Sequence, residues 1–195
     1  RERAQVIDEI IDERIETVLP DLMERTGIDM WVIISREYNE DPVLKTFLPS
    51  TWQTARRRTI LLIYNPGSGE PLETLAVARY GVGKTFIKAW DKELHGDQWK
   101  RLAELIEERN PNKIGINYSD TFALADGITH TEYDLFLESL KPAHREKVIS
   151  AEELAVGWLE TRSKTEMIIY QQICRIAHEI LAAGLTDEVI QPGIT

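Results

Sequence analysis

The run most suggestive of bound phosphate is Gly81-Val82-Gly83-Lys84-Thr85, since glycine amides and a lysine ammonium can cradle phosphate oxygens. The pattern is incomplete. A P-loop needs a glycine five positions before its Gly-Lys-Thr, where this chain has Ala78. It also needs a helix next, where Phe86-Ile87-Lys88-Ala89-Trp90 reads as strand. A glycine turn joining two strands is the better reading. His130-Thr131-Glu132 has the H-x-E of zinc deaminases, but that metal site is completed by a Cys-x-x-Cys pair, and Cys174 is the chain's single cysteine. The triplet reads instead as a helix start, with Glu132 favoured by the helix dipole. His178-Glu179 lacks the second histidine of H-E-x-x-H because position 182 is Ala182, while His95 and His144 sit in loop-like surroundings without carboxylate spacing. No metal site assembles from these residues. Cys174 lies on an apolar helix row, which predicts a packed, inert thiol.

Two polar stretches remain. Arg56-Arg57-Arg58, preceded by Trp52, could bind an acidic group, although a solvated lead into the next strand is the better reading. Arg36 to Ser50, with Glu37-Tyr38-Asn39-Glu40-Asp41-Pro42, is a long polar, aromatic-bearing loop after a strand and is the best candidate functional loop, with a surface excursion as the alternative.

The elements that must position these residues follow from periodicity. Apolar residues from Val6 to Met23 recur at helical spacing; Pro20 should split this opening helix and Gly27 should stop it. Met30 to Ser35 and Thr59 to Tyr64 read as buried strands, and Leu72 to Tyr80 as a third that forms a hairpin with the second across Asn65-Pro66-Gly67-Ser68-Gly69. Phe86 to Trp90 adds a short edge strand. A helix capped by Asp97 ends at Asn110-Pro111, Lys113 to Tyr118 returns to strand, a helix runs from Thr131 to Leu140, and Lys147 to Ile149 is a last short strand. This order predicts an α/β fold, a mixed β-sheet flanked by helices. Ser150 with Glu153 and Ser163 with Glu166 match the capping-box signal, so one helix should start near Glu152 and another near Lys164. The last helix carries two apolar rows, Ile169, Ile173, Ile176, Ile180 and Met167, Tyr170, Cys174, Ala177, Leu181, which predicts partners on both sides and a chain cut inside a second domain.

Bulk properties narrow the classes. In 195 residues, 23 Lys and Arg face 33 Asp and Glu, and the net charge of -10 argues against nucleic acid and anionic membrane as partners. No apolar run reaches the ~18 residues of a spanning helix, so the chain is expected to be soluble, whether cytoplasmic or, after loss of a leader, periplasmic or secreted.

Leu159-Glu160-Thr161-Arg162-Ser163-Lys164-Thr165-Glu166-Met167-Ile168, the helix through Ile176-Ala177-His178-Glu179, and Gln191-Pro192-Gly193-Ile194-Thr195 together resemble the creatinase and Xaa-Pro aminopeptidase (aminopeptidase P, prolidase) family. Members open their carboxy-terminal "pita-bread" domain with a segment of this kind, then an alanine-rich helix and a [RK]-P-G-[VMI]-[TS] turn. The resemblance implies a creatinase-like amino-terminal domain of RNase H-like layout over 1–160, followed over 161–195 by the first helix and turn of a truncated catalytic domain. It also implies that the loop after Asp29 to Ser35 approaches a neighbouring subunit's active site, which makes Glu37, Tyr38 and Asn39 candidates for substrate contact. The family's asparagine-x-x-tyrosine-leucine-threonine-glycine pattern is not preserved there. Met167, Tyr170, Cys174 and Leu181 would form the exposed former interdomain face.

By the same resemblance the parent removes a residue preceding proline from proline-containing peptides, using two divalent ions (Mn, Co or Zn) held by Asp, Asp, His, Glu and Glu beyond this chain. The chain itself would hold no cofactor and no catalytic residue, and would serve homodimer formation and active-site access. Two relatives of the same architecture are alternatives: an inactive peptide- or protein-binding module, and a creatinase-like amidinohydrolase fragment. An RNase H-like nuclease would need its acids clustered, and Asp29, Asp91 and Asp120 show no such spacing.

Overall fold

A computed structural model describes residues 2–186, 188–191 and 193. The chain forms two compact units, Arg1–Thr161 and Arg162–Thr195.

In the first unit, β1 (Met30–Arg36), β2 (Arg58–Tyr64), β3 (Glu73–Val77), β4 (Ile87–Lys88), β5 (Ile114–Ile116) and β6 (Val148–Ser150) form one sheet in the order β4-β3-β2-β1-β5-β6. Only β2 runs against its neighbours; the β1–β5, β5–β6 and β3–β4 pairs are parallel. The expected mixed α/β fold is therefore present. The central strands are continuously apolar over Met30–Ile34 and Ile60–Ile63 because both faces are covered there. Alternation sends Trp31, Ile33, Leu61, Ile63 and Ala76 into one core and Met30, Val32, Ile34, Ile60, Leu62 and Val77 into the other.

The first core is closed by α1 (Glu2–Thr17), α2 (Leu19–Thr26) and α8 (Glu152–Glu160) through Ile15, Leu19, Leu22, Leu154 and Trp158. Arg14 secures this layer, stacking 4.2 Å over the Trp158 ring and donating to the carbonyls of Trp158 and Thr161. The break between α1 and α2 falls at Val18, with Pro20 in the first turn of the second helix, and Gly27 ends it at φ 66°. The second core is closed by α5 (Gln98–Arg109) and α6 (His130–Ser139) through Trp99, Leu102, Leu105, Ile106 and Phe136. Asp97 caps α5 through the Lys100 amide, as its place in the sequence predicts.

The glycine turn expected between the third and fourth strands is present, with Gly83 at φ 63°; because these strands run parallel, residues 78–86 cross over and contain the small Val82–Phe86 bridge. Three local expectations are corrected. Ser150 forms no capping box with Glu153. Ala151 is the N-cap of α8, and the Ser150 hydroxyl instead donates to Tyr118 O and accepts from the Glu152 amide. His95 and His144 lie on the single-turn helices α4 (Lys92–His95) and α7 (Pro142–Arg145) rather than in loops. Arg36 to Ser50 is not a surface excursion throughout: its single-turn helix α3 (Pro42–Lys45) buries Val43 and Leu44, and Phe47 stacks on Trp158 at 4.4 Å.

In the second unit, α9 (Lys164–Gly184) starts with the predicted capping box: Ser163 Oγ accepts from the Glu166 amide and Glu166 Oε2 from the Ser163 amide. Met167, Tyr170, Cys174 and Leu181 on one row, and Ile173, Ile176 and Ile180 on the other, are all exposed. Cys174 is thus an accessible thiol, not the packed one its row predicts, since one helix cannot bury its own stripe. Of the turn Gln191 to Thr195, Pro192, Ile194 and Thr195 lie outside the described residues. No helix among the described residues is long and apolar enough to cross a membrane.

Candidate functional site

Strands β1, β3, β5 and β6 end on one rim of the sheet, the side on which α/β folds present their ligand-binding loops. Three segments meet there: the loop after β1, residues 78–80 after β3, and the loop after β5. The β1 loop opens with a tight turn in which the Asn39 amide donates to Arg36 O at 3.0 Å. Tyr38 occupies its centre at φ 70° and is 86% exposed. A left-handed conformation costs a residue with a Cβ about 1–2 kcal/mol, so surrounding bonds must hold it. Glu37 N–H donates to Arg57 O, Arg57 N–H to Glu37 Oε2, and the amides of Tyr38 and Ala55 both donate to Glu40 Oε1. Arg57, on the facing segment, is also left-handed at φ 57°.

Beneath the turn lies a buried polar chain. Asp41 Oδ1 accepts from the amides of Val43 and Leu44 at 2.7 and 3.1 Å, capping α3. Its Oδ2 accepts from Asn117 Nδ2 at 2.9 Å, and Asn117 Oδ1 accepts from Trp31 Nε1 at 2.7 Å. The Asp41 amide donates to Ser35 Oγ. Burial pushes the Asp41 carboxyl above its ordinary value, against the pull of the Asn117 bond and the two amides. Gly127 leaves room for this carboxylate, because a Cβ there would stand 2.1 Å from Asp41 Oδ2. With both oxygens engaged by protein donors, Asp41 anchors the loop.

A second buried carboxylate braces the same rim. Glu132, in the first turn of α6, is 1% exposed; it accepts from Arg58 Nε at 2.6 Å and Nη2 at 3.0 Å, with Arg36 Nε at 3.7 Å. Arg58 also lies 4.8 Å over the Trp99 ring. Glu132 is therefore an ion-pair partner that ties α6 to β2, beyond the dipole role its position suggests. Arg58, read as solvated, is its counter-charge, whereas Arg56 and Arg57 stay exposed.

The structure thus brings Glu37, Tyr38 and Asn39 together on one braced turn. The other singled-out groups serve locally: Asp29 accepts from the amides of Asn112 and Lys113, Asp91 caps α4, and Asp120 is exposed. A groove of about 1010 Å³ opens at the opposite rim between α2 and the turn Asn65 to Leu72, floored by Ile15, Met23 and Ile28. Among its lining carboxylates, Asp29 is consumed in pinning Asn112 and Lys113. Sequence reasoning missed Ser35, Asn117 and Gly127; only Asp41-Pro42, a capping residue followed by proline, carried a readable signal.

The fold resembles that of a Xaa-Pro dipeptidase from Bacillus anthracis. The two superpose with a TM-score of 0.54 at 18% identity, over 97% of this chain and 45% of the dipeptidase. The chain spans less than half the length of that protein, and its sheet and flanking helices match the amino-terminal domain of a prolidase-like fold. No protein-family model and no curated protein matches the sequence. Among the described residues, no three His, Cys, Asp or Glu side chains converge where they could hold a metal ion.

Proposed function

We propose that this chain is the amino-terminal domain, with the first helix of the catalytic domain, of a metal-dependent Xaa-Pro peptidase, and that its Tyr38 turn restricts access to the active site. The observation that carries the reading is the strained, braced and exposed turn at the rim where such a sheet presents its loops. The fold likeness to a Xaa-Pro dipeptidase and the junction segment Arg162 to Ile168 support it. In this reading the parent's two divalent ions are held outside this chain, its substrates are proline-containing peptides, and the exposed row Met167, Tyr170, Cys174 and Leu181 packs against the rest of the catalytic domain. The parent is a homodimer in which the Tyr38 turn, with Glu37 and Asn39, faces a neighbouring subunit's substrate.

Hydrolysis of Ala-Pro by the parent protein loaded with manganese, beside the 195-residue chain under the same conditions, tests the proposal. Cleavage by the parent alone is expected. An inactive parent, or cleavage by the chain alone, would overturn it.

A further inference from the structure

Arg56 stands where the rim turns into β2, its guanidinium carbon 4.2 Å from the centroid of the Trp52 ring and 5.6 Å from that of Tyr80. Among the described residues it has these aromatic partners and no carboxylate within ion-pair distance, although the chain holds 33 acidic residues. Its neighbours do have such partners: Arg58 is consumed by Glu132, and Arg57 lies 4.0 Å from Glu37. Stacking engages the flat face of a guanidinium and leaves its edge N–H donors free, in the fork that matches a carboxylate. It also limits the side chain's freedom before any ligand arrives, which lowers the entropy lost on binding. Arg56 is fixed relative to the Tyr38 turn as well, because Ala55 and Arg57 on either side of it are bonded to Glu40 and Glu37. Glu37 and Glu40 on the facing turn are engaged by the Arg57 and Ala55 amides, and Glu37 also lies 4.0 Å from the Arg57 guanidinium. At physiological salt the charges of more distant acids are screened over about 8 Å.

We infer that the Arg56 stack on Trp52 and Tyr80 is a carboxylate-binding site, which receives an acidic peptide segment along the rim beside Tyr38. The carboxylate is either a side chain or a chain terminus. The inference does not depend on the peptidase reading, because it is a binding property of this chain alone.

Fluorescence anisotropy with the 195-residue chain tests it, using three labelled decapeptides: alternating Glu and Gly with an amidated end, its Gln counterpart with an amidated end, and the Gln peptide with a free carboxylate. Saturable binding of the first or third is expected, with the amidated Gln peptide at least about tenfold weaker. Preference for the first assigns a side-chain carboxylate, and for the third a terminal one. Arg56→Ala and Arg56→Lys should each weaken binding about tenfold, the lysine variant because it keeps the charge but lacks the fork. Lys100→Ala, on the exposed face of α5, should not. Unchanged circular dichroism confirms that the variants fold. Equal affinity for all three peptides, no saturable binding, or full binding by both Arg56 variants would overturn the inference.

Discussion

Asn117, at the end of β5, donates a 2.9 Å hydrogen bond to Asp41 Oδ2 across 76 residues of sequence, and this bond joins the exposed Tyr38 loop to the centre of the sheet. The same asparagine accepts from Trp31 Nε1 on β1, so its orientation is fixed from both ends. Removing the carboxylate deletes the cap of α3 and leaves a buried amide donor without its partner. Asp41→Ala should therefore lower stability by about 2–4 kcal/mol, measured by urea unfolding; a loss below about 0.5 kcal/mol would show that the chain of bonds does not hold the loop.

The pH dependence of this group runs opposite to that of a typical salt-bridged aspartate. Burial raises the folded pKa of Asp41 above its ordinary 3.8, so between the two values the folded state binds more protons than the unfolded state. Stability from this group is then full below 3.8 and is lost as pH rises through the folded pKa. Comparing unfolding free energies of the native chain and Asp41→Asn from pH 7 down to about 4 isolates it. The native chain should gain relative to the variant as pH falls, and a relative loss would reverse the assignment.

Gly127 is required by close approach rather than by its backbone angles. A methyl group would overlap Asp41 Oδ2, so Gly127→Ala should cost about 1–3 kcal/mol. In an Asp41→Ala background the same change should cost much less, because the atom it strikes is gone. A double-mutant cycle by thermal unfolding gives the coupling, and strict additivity would contradict the contact.

Breaking the Arg58–Glu132 pair should be worse than removing both partners. Arg58→Ala leaves a carboxylate that is 1% exposed with only Arg36 at 3.7 Å, a loss of about 3 kcal/mol or more. Arg58→Met together with Glu132→Leu should recover most of it. Chemical denaturation of the two variants beside the native chain decides, and a double variant less stable than Arg58→Ala would contradict the desolvation argument.

Much of the layout was legible because it depends on local chemistry. Asp97, Asn110-Pro111, Pro20 and Gly27 mark helix limits through groups close in sequence, and the short apolar run Ile60 to Tyr64, closed by a Pro/Gly turn, reads as a buried strand. The bonds that shape the candidate site were not legible, because Asp41 with Asn117 and Arg58 with Glu132 are brought together only by the parallel β1–β5 pairing and by α6 crossing the sheet. Ser150 shows the limit of motif reading. Its hydroxyl matches a capping box, yet the Tyr118 carbonyl lies within reach and accepts its hydrogen bond. For Tyr38 the polar loop was visible, but its left-handed strain follows from braces at Glu40 and Arg57 that no local pattern encodes.

The claim that the Tyr38 turn restricts access is tested most directly in the parent protein, by comparing kcat/KM for an Xaa-Pro dipeptide and for a longer Xaa-Pro peptide before and after Tyr38→Ala. The account predicts that the variant shifts the ratio toward the longer peptide by about fivefold or more, with metal content unchanged, as loss of about 1 kcal/mol of discrimination requires. An unchanged ratio would contradict it.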